Sequence, residues 1–263
     1  KRVARVMTVQ KPVCLVIGAG AGIGGTVGRR FAAGGYHAVL CRRSDQQGLD
    51  ALVAQIADEG GEASGLLLNA VADDALENLI TTTERDTGPI AVLVFNLGAQ
   101  IGDRALQDTS YKSFEMCWRL ATFALFRVAS VLCPIMAARG NGSLLVTSST
   151  AAVRGNAGQH AHAAAMGGRR MLCQSLNAEF APQGLHVAHI LIDGAVDAPD
   201  TLGKMLGADA FQSLRESRGM DHDGLMLPAM IADTYWHIAH QHRSTWTHEL
   251  DLRSFGDRAW WNH

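Results

Sequence analysis

The sequence predicts a single α/β domain in which a doubly wound, mostly parallel sheet of seven strands carries helices on both faces. Short apolar runs alternate with helical patterns along the chain, which is typical of repeated βαβ units. A chain of 263 residues with 48% hydrophobic content can bury the core of one such domain. The first apolar run breaks into a glycine turn that opens a helix, which indicates where the sheet begins.

The strands are predicted from short apolar runs that are bounded by turn residues. In chain order they cover residues 12–18, 36–41, 64–69, 90–95, 142–148, 185–192 and 246–252. Because crossover connections are right-handed, strands in this order build a twisted sheet whose ligands bind beyond the carboxyl ends of the strands.

The helices are predicted between these strands from their apolar periodicity. They cover residues 22–34, 45–59, 73–87, 109–138, 158–181 and 228–242. Gly34-Gly35 and Gly60-Gly61 end the first two helices, and Gly88-Pro89 breaks the third. Residues 195–227 have only a weak helical pattern around 208–217, and they are predicted to form a lid over the substrate site.

Composition excludes several classes of function. A net charge of −2, with scattered Arg and Lys, gives no electrostatic footprint for nucleic acid. The five cysteines form no CxxC pair, so a reducing cytoplasm is expected.

No metal site is expected, because His237, His240 and His242 have no Cys or carboxylate nearby that would complete a set of metal ligands. No apolar run reaches about 18 residues, so no membrane partner is expected. Residues 1–6 are interpreted as a tag or leader.

The glycine turn is the first candidate binding site. Gly18, Gly22 and Gly24 follow a predicted strand and open a helix, where backbone N–H groups and the helix N-terminus can hold a pyrophosphate. The alternative is a tight turn that simply requires residues without Cβ. The sequence context favours nucleotide binding.

The end of the second strand indicates which nucleotide is preferred. Arg42 and Arg43 stand there, and no acidic residue occupies the position that would accept an adenosine 2′-hydroxyl. Two guanidinium groups could bind a 2′-phosphate through charge-assisted hydrogen bonds. NADP(H) is therefore predicted in preference to NAD(H), unless the arginines only solvate the surface.

These motifs resemble those of the short-chain dehydrogenase/reductase family, and the resemblance covers nearly the whole chain. Gly18-Ala-Gly-Ala-Gly22-Ile-Gly24 resembles the family's TGxxxGxG, and Phe95-Asn96-Leu97-Gly98 resembles its NNAG. Leu144-Leu-Val-Thr-Ser-Ser149 resembles the strand that ends in the catalytic Ser. The resemblance implies a Rossmann-type fold and an NAD(P)-dependent oxidoreductase. It also implies cofactor contacts at Gly18, Gly20, Gly22, Ile23, Gly24, Asn96, Gly98, Gly194 and Val196.

The same resemblance implies subunit contacts. Family members form dimers or tetramers through two long helices, which here would be 109–138 and 158–181. A homodimer or homotetramer is therefore expected, with Trp118, Phe123 and Phe126 interpreted as core and subunit interface.

The family's catalytic positions are largely replaced in this chain. The resemblance implies Tyr at 162, Lys at 166, Asn at 121 and Thr at 198, together with an adenine-binding Asp at 70. The residues present are His162, Met166, Ala121, Ala198 and Ala70. Tyr acts as a proton donor when a nearby cation lowers its pKa, and Met offers no cation. An imidazole titrates near neutral pH unaided, so His162 and Ser149 are the predicted catalytic pair, unless His162 merely fills an abandoned site.

Two classes of function follow from these residues. In the first, the protein is an NADP(H)-dependent carbonyl/hydroxyl oxidoreductase with a small apolar or carbonyl-containing substrate, or a non-redox enzyme that reuses the pocket. In the second, it is a catalytically silent subunit that pairs with a paralogous active subunit and binds no cofactor or binds one without turnover. The combined losses at Ala121, Met166 and Ala198 favour the second class on chemical grounds, whereas the fold resemblance favours the first.

Overall fold

The computed structural model describes residues 10–98, 100, 102–218 and 223–262. The segment 1–6, interpreted as a tag or leader, lies outside the described residues.

One parallel sheet of seven strands, in the order β3-β2-β1-β4-β5-β6-β7, forms the centre of the fold. Its strands are β1 (Val13–Ile17), β2 (His37–Arg42), β3 (Glu62–Leu67), β4 (Ile90–Phe95), β5 (Gly142–Ser149), β6 (Leu185–Ile192) and β7 (Glu249–Leu252). All seven predicted strands are confirmed, although the last begins later than predicted. The first strand lies between β2 and β4 in the interior of the sheet, as a doubly wound fold requires.

The helices pack on both faces of this sheet. They are α1 (Ile23–Ala33), α2 (Gln46–Asp58), α3 (Ala75–Thr82), α4 (Tyr111–Trp118), α5 (Ala124–Arg139), α6 (His160–Phe180), α7 (Lys204–Leu206), α8 (Ala208–Arg218) and α9 (Pro228–Ala239). The predicted helix 109–138 is divided, because a π-helical turn at Arg119–Phe123 joins α4 to α5. A second π-helical turn, Thr83–Thr87, follows α3 inside the predicted helix 73–87.

Alternate side chains of the central strands pack into two separate hydrophobic cores, one on each face of the sheet. Val13, Leu15 and Ile17 point into the core beneath α3, α5 and α6. Cys14 and Val16 point into the core beneath α1, α2 and α9. A strand that is buried on both faces reads as a continuous apolar run, which explains why β1 was recognisable from sequence.

One helical stretch of the described chain, Tyr111–Arg139, is long and apolar enough to cross a membrane by length and composition. The sequence was expected to hold no such run. Leu125, Val128 and Leu132 of this stretch lie in the core against the sheet, so packing within the domain accounts for part of its apolar character.

Candidate active site

The glycine turn between β1 and α1 lies at the carboxyl edge of the sheet. Gly18 has φ +98°, and a Cβ added there would lie 2.6 Å from the Asn96 carbonyl oxygen. A Cβ on Gly24 would collide with the Gly18 carbonyl. These two positions therefore need glycine for the turn itself. Gly20 differs, because an added Cβ would meet nothing within 4 Å, which leaves room beside the turn for a ligand.

Asn96 holds this turn in place. Its side-chain amide donates to the Gly18 carbonyl over 2.9 Å, and its backbone N–H donates to the carbonyl of Ile17 over 2.8 Å. The predicted role of Asn96 as a cofactor contact stays a prediction. In the structure its amide connects the end of β4 to the turn after β1.

Two adjacent cavities follow the carboxyl edge of the sheet. The first, here called the β2-side cavity, encloses about 170 Å³ beside Gly18, Arg42 and Arg43. The second, the β5-side cavity, encloses about 420 Å³ beside Ser149 and His162. Both cavities are lined by Leu97 and Gly98, so they lie next to each other along this edge. Of the other predicted cofactor contacts, Ile23, Gly194 and Val196 line the β5-side cavity.

The two predicted phosphate ligands differ in their surroundings. The Arg42 guanidinium donates to the Ala19 carbonyl over 3.0 Å and to the Asp45 carboxylate over 2.8 Å. Arg43 is exposed at the β2-side cavity and makes no ion pair with any described residue. Sequence reasoning missed Asp45, which starts α2 with a left-handed backbone and accepts from the N–H of Gly48. This carboxylate offsets the charge of Arg42 and leaves Arg43 as the available cation.

The predicted catalytic pair is assembled in the structure. Ser149 ends β5, His162 lies in the first turn of α6, and Ser149 Oγ is 3.1 Å from His162 Nε2. His162 is buried, whereas His160, two positions earlier, is exposed. The two histidines therefore point apart, as helical geometry predicts.

The replaced family positions are apolar and buried. Ala121, Met166 and Ala198 are each at most 4% exposed. Met166 lines the β5-side cavity on the same face of α6 as His162. No Tyr or Lys is among the described residues that line this cavity. A proton donor of the tyrosine type, with a lysine beside it, is therefore missing from the described wall.

Sequence reasoning also missed Arg169, which lies on α6 one turn after Met166. It is 1% exposed, lines the β5-side cavity and donates to the carbonyls of Leu97, Ala121 and Thr147. Burial lowers the pKa of its guanidinium to about 10, so the group stays protonated at neutral pH. The spacing of 162, 166 and 169 on one helical face was the signal available in the sequence.

The predicted lid supplies one wall of the β5-side cavity. A π-helical turn (Pro199–Gly203) and α7 follow β6, and Thr201, Leu202 and Met205 line the cavity. An ion pair between Asp197 and Arg215 holds α8 against this segment over 2.8 Å. Residues 219–222 of the predicted lid, including Met220, lie outside the described residues.

A metal centre has no support in the described part of the chain. No group of three or more His, Cys, Asp or Glu side chains there could hold a metal ion. His240 instead accepts from or donates to Tyr36 and contacts the carbonyl of Trp236.

Comparison with known proteins identifies close similarities in sequence and fold. The pattern of the short chain dehydrogenase family matches residues 12–201. Short-chain reductase protein NovJ of Streptomyces niveus is 31% identical over 233 residues, which cover 88% of this chain and 87% of that protein. A solved short-chain dehydrogenase from Rhodopseudomonas palustris has a TM-score of 0.77 at 30% identity, covering 93% of this chain and 99% of that one.

A solved structure of lower sequence identity has a similar fold. It is an alcohol dehydrogenase from Thermococcus sibiricus, complexed with 5-hydroxy-NADP, with a TM-score of 0.78 at 21% identity. It covers 94% of this chain and 98% of that one.

Proposed function

Because the chain belongs to the short-chain dehydrogenase family, we propose that it is an NADP(H)-dependent oxidoreductase that interconverts a carbonyl and a hydroxyl group on a small apolar substrate. The observation that carries this proposal is the contact of 3.1 Å between Ser149 Oγ and His162 Nε2 inside the β5-side cavity. This contact joins a hydroxyl group and a titratable imidazole at the edge of the sheet where ligands of such folds bind.

The residues along the carboxyl edge fit a dinucleotide. The amide groups of the turn from Gly18 to Gly24 and the first turn of α1 would hold the phosphates, and the room beside Gly20 admits them. The adenosine end would occupy the β2-side cavity and the nicotinamide end the β5-side cavity. When bound, the nicotinamide group supplies or accepts a hydride.

His162 is proposed to move the proton that accompanies hydride transfer. During reduction, the electron pair of the C=O bond goes to the oxygen as the new C–H bond forms. Protonated His162 gives its Nε2 proton to that oxygen and becomes neutral. During oxidation, His162 takes the proton back. Ser149 Oγ donates a hydrogen bond to the same oxygen and orients it. The imidazole does not need the lysine that a tyrosine would need, because its own ring nitrogen can give and take this proton.

The first experiment on this proposal measures cofactor binding and hydride transfer separately. Titration with NADPH is expected to raise the melting temperature in a concentration-dependent way and to enhance NADPH fluorescence. Transfer of deuterium from labelled NADPH to a panel of small carbonyl compounds then reports turnover. Absence of a melting shift at millimolar NADPH would count against cofactor binding, and binding without transfer to any compound would support the silent subunit.

Arg43 is proposed to set the preference for NADP(H). Replacing Arg43 with Ala is expected to weaken NADPH binding by about tenfold while NADH binding changes little, because the exposed guanidinium loses a charge-assisted contact to the 2′-phosphate. Fluorescence titration with both nucleotides measures this. Arg85→Ala is the matched control, since Arg85 is an exposed arginine paired with Asp86 outside both cavities. An equal loss of NADH affinity in Arg43→Ala would contradict the assignment.

A subunit interface is proposed on the helices that bear exposed aromatic rings. Trp118, Phe123 and Phe126 are 43%, 37% and 52% exposed, so the stripe is on the surface of the protomer and is not part of its core. Trp118 stacks on Phe123 with ring centroids 5.2 Å apart, and Phe123 stacks on Phe126 at 6.4 Å. Exposed apolar patches of this kind mark association surfaces. The expected partner is a second copy of this chain, forming a dimer or tetramer.

Replacing Phe123 with Glu is expected to convert the assembly to monomers, because a carboxylate at the centre of an apolar contact would have to lose its hydration. Light scattering coupled to size exclusion measures the mass. Tyr111→Glu is the control, because Tyr111 is almost fully exposed at the start of α4 and outside the stacked stripe. If the unaltered protein is monomeric at micromolar concentration, the homo-oligomer proposal fails.

The second candidate function is a catalytically silent subunit that pairs with a paralogous member of the family. The apolar replacements at Ala121, Met166 and Ala198 favour it, because each buried position holds an apolar residue where the resemblance implies a polar one. The same stripe of Trp118, Phe123 and Phe126 would then contact the paralogous subunit. The deuterium-transfer experiment distinguishes this function from an active enzyme.

A further inference from the structure

The side chain of Arg169 occupies an unusual position for a cation. Its guanidinium lies in the interior of the domain, 1% exposed, above the ring of Phe95 at 5.1 Å. Burying a charge without a partner is costly, so a buried arginine is normally paired with a carboxylate. Among the described residues, however, no carboxylate forms an ion pair with Arg169.

The next residue on the helix shows the usual arrangement. The guanidinium of Arg170 makes a two-pronged pair with the Glu249 carboxylate, at 2.7 and 2.8 Å, on the edge strand β7. Its positive charge is therefore offset locally. The two adjacent arginines thus differ in how their charges are compensated. The charge of Arg170 is neutralised by a carboxylate, whereas the guanidinium of Arg169 is bound by neutral backbone carbonyls.

Backbone carbonyls hold the Arg169 charge in a fixed place. Nε donates to Ala121 O over 2.9 Å, Nη1 to Thr147 O over 2.6 Å and Nη2 to Leu97 O over 2.7 Å. Leu97 follows β4, Thr147 lies in β5 two residues before Ser149, and Ala121 lies in the π-helical turn between α4 and α5. Three hydrogen bonds to three different elements leave the guanidinium little freedom to move.

Leu97 and Thr147, whose carbonyls accept two of these hydrogen bonds, line the β5-side cavity, and Arg169 itself lines it too. No other Lys or Arg is among the described residues that line this cavity. The charge therefore acts on the cavity contents through a protein interior of low effective dielectric constant, where a Coulomb interaction is stronger than in water.

We propose that Arg169 is the fixed cation of the site: it positions the ends of β4, β5 and the π-helical turn, and its charge stabilises a bound oxygen atom that becomes negative. This inference rests on the proposed function, in which the substrate oxygen receives the electron pair of the C=O bond as the C–H bond forms. Arg169 remains a positioning residue, because its guanidinium acts through the carbonyls and through space. The site then has a positive charge even though residue 166 is a methionine.

The test uses a small phenol in place of the substrate, with no NADPH present. p-Nitrophenol titrates near neutral pH, and its ionised form absorbs in the visible, so the pKa of the bound phenol can be read by spectroscopy. The unaltered protein is expected to lower that pKa by about one unit, which is a tenfold shift toward the phenolate. Arg169→Gln, which keeps donors but removes the charge, is expected to return the pKa to its value in water.

Two further variants separate charge from structure. Arg169→Lys keeps the positive charge and is expected to preserve the lowered pKa, even though its single ammonium group cannot reproduce the contacts to Leu97, Ala121 and Thr147. Arg170→Gln is the matched control, and it is expected to leave the pKa of the bound phenol unchanged because its charge is already offset by Glu249. Melting curves establish that each variant is folded, and if Arg169→Gln does not fold, the comparison between Arg169→Lys and the unaltered protein decides.

The outcomes distinguish this inference from the proposed function. A phenol pKa that is the same in folded Arg169→Gln and in the unaltered protein overturns the inference, and so does a phenol that binds with no change in pKa or fails to bind at millimolar concentration. If Arg169→Gln does not fold, loss of the lowered pKa in folded Arg169→Lys also overturns it. None of these results involves NADPH. Failure of NADPH binding or of deuterium transfer, in contrast, counts against the proposed function and leaves the phenol measurement intact.

Discussion

Replacement of His162 with Phe is expected to lower the rate of hydride transfer by about 10²- to 10⁴-fold, the usual contribution of a positioned general acid or base. Phe keeps the planar ring in the buried pocket on α6 but removes Nε2, which lies 3.1 Å from Ser149 Oγ. The rate is measured by transfer of deuterium from labelled NADPH. NADPH affinity is expected to be unchanged, because the proposed function places the substrate beside His162 and the phosphates at the glycine turn.

The matched control is His160→Phe. His160 lies on the same helix two residues earlier, but it is exposed and does not line the β5-side cavity. Its replacement is expected to leave turnover unchanged. Equal turnover in His162→Phe and in the unaltered protein would remove His162 from the mechanism, whereas loss of NADPH binding in His162→Phe would indicate a structural role.

Two substitutions in the glycine turn are expected to have different effects on stability. Gly24→Ala places a Cβ against the Gly18 carbonyl, so the backbone must shift. We expect a loss of about 2 to 3 kcal/mol in the free energy of unfolding, and about 2 to 4 °C in melting temperature for each kcal/mol. NADPH binding is expected to fall by more than tenfold, because the same shift moves the amide groups that are proposed to hold the phosphates. Thermal melting and fluorescence titration measure the two effects.

Gly20→Ala tests nucleotide binding separately from the stability of the fold. Its added Cβ meets nothing within 4 Å, so the melting temperature without nucleotide is expected to stay within about 2 °C of the original. If the phosphates occupy the room beside this residue, the same methyl group reduces NADPH affinity. Unchanged affinity in Gly20→Ala would place the phosphates elsewhere, and a large loss of stability would show that the turn is packed differently.

The fold was accessible from sequence because its strongest signals are local. The β1 strand is buried on both faces and reads as an unbroken apolar run, and Gly18 after it has a positive φ of +98°, which favours glycine. Ser149 and His162 were identified from the resemblance to the family's motif positions. Boundaries were less accurate at the edge strand β7, where all four residues are half-buried and the apolar pattern is weaker.

The π-helical turn at Arg119–Phe123 could not be read from the sequence. Its residues follow an ordinary helical pattern, and the wider turn differs from an α-helix only in which carbonyl each N–H reaches. The importance of the turn comes from Ala121 O, which accepts from Arg169, a residue 48 positions away. A contact of that kind depends on the packing of α6 against α4 and α5.

The sequence by itself determined the parallel sheet, the glycine turn and the family, because each depends on residue type, periodicity or motif spacing along the chain. The resemblance to the family singled out Ser149 and His162, and the structure brings their side chains to 3.1 Å. Only the tertiary structure decided how charge is distributed around the site. Asp45 turns toward Arg42 and leaves Arg43 available, and Arg169 enters the core without a described carboxylate partner. The electrostatic character of a charged side chain depends on the groups around it in space, and these come from distant parts of the chain.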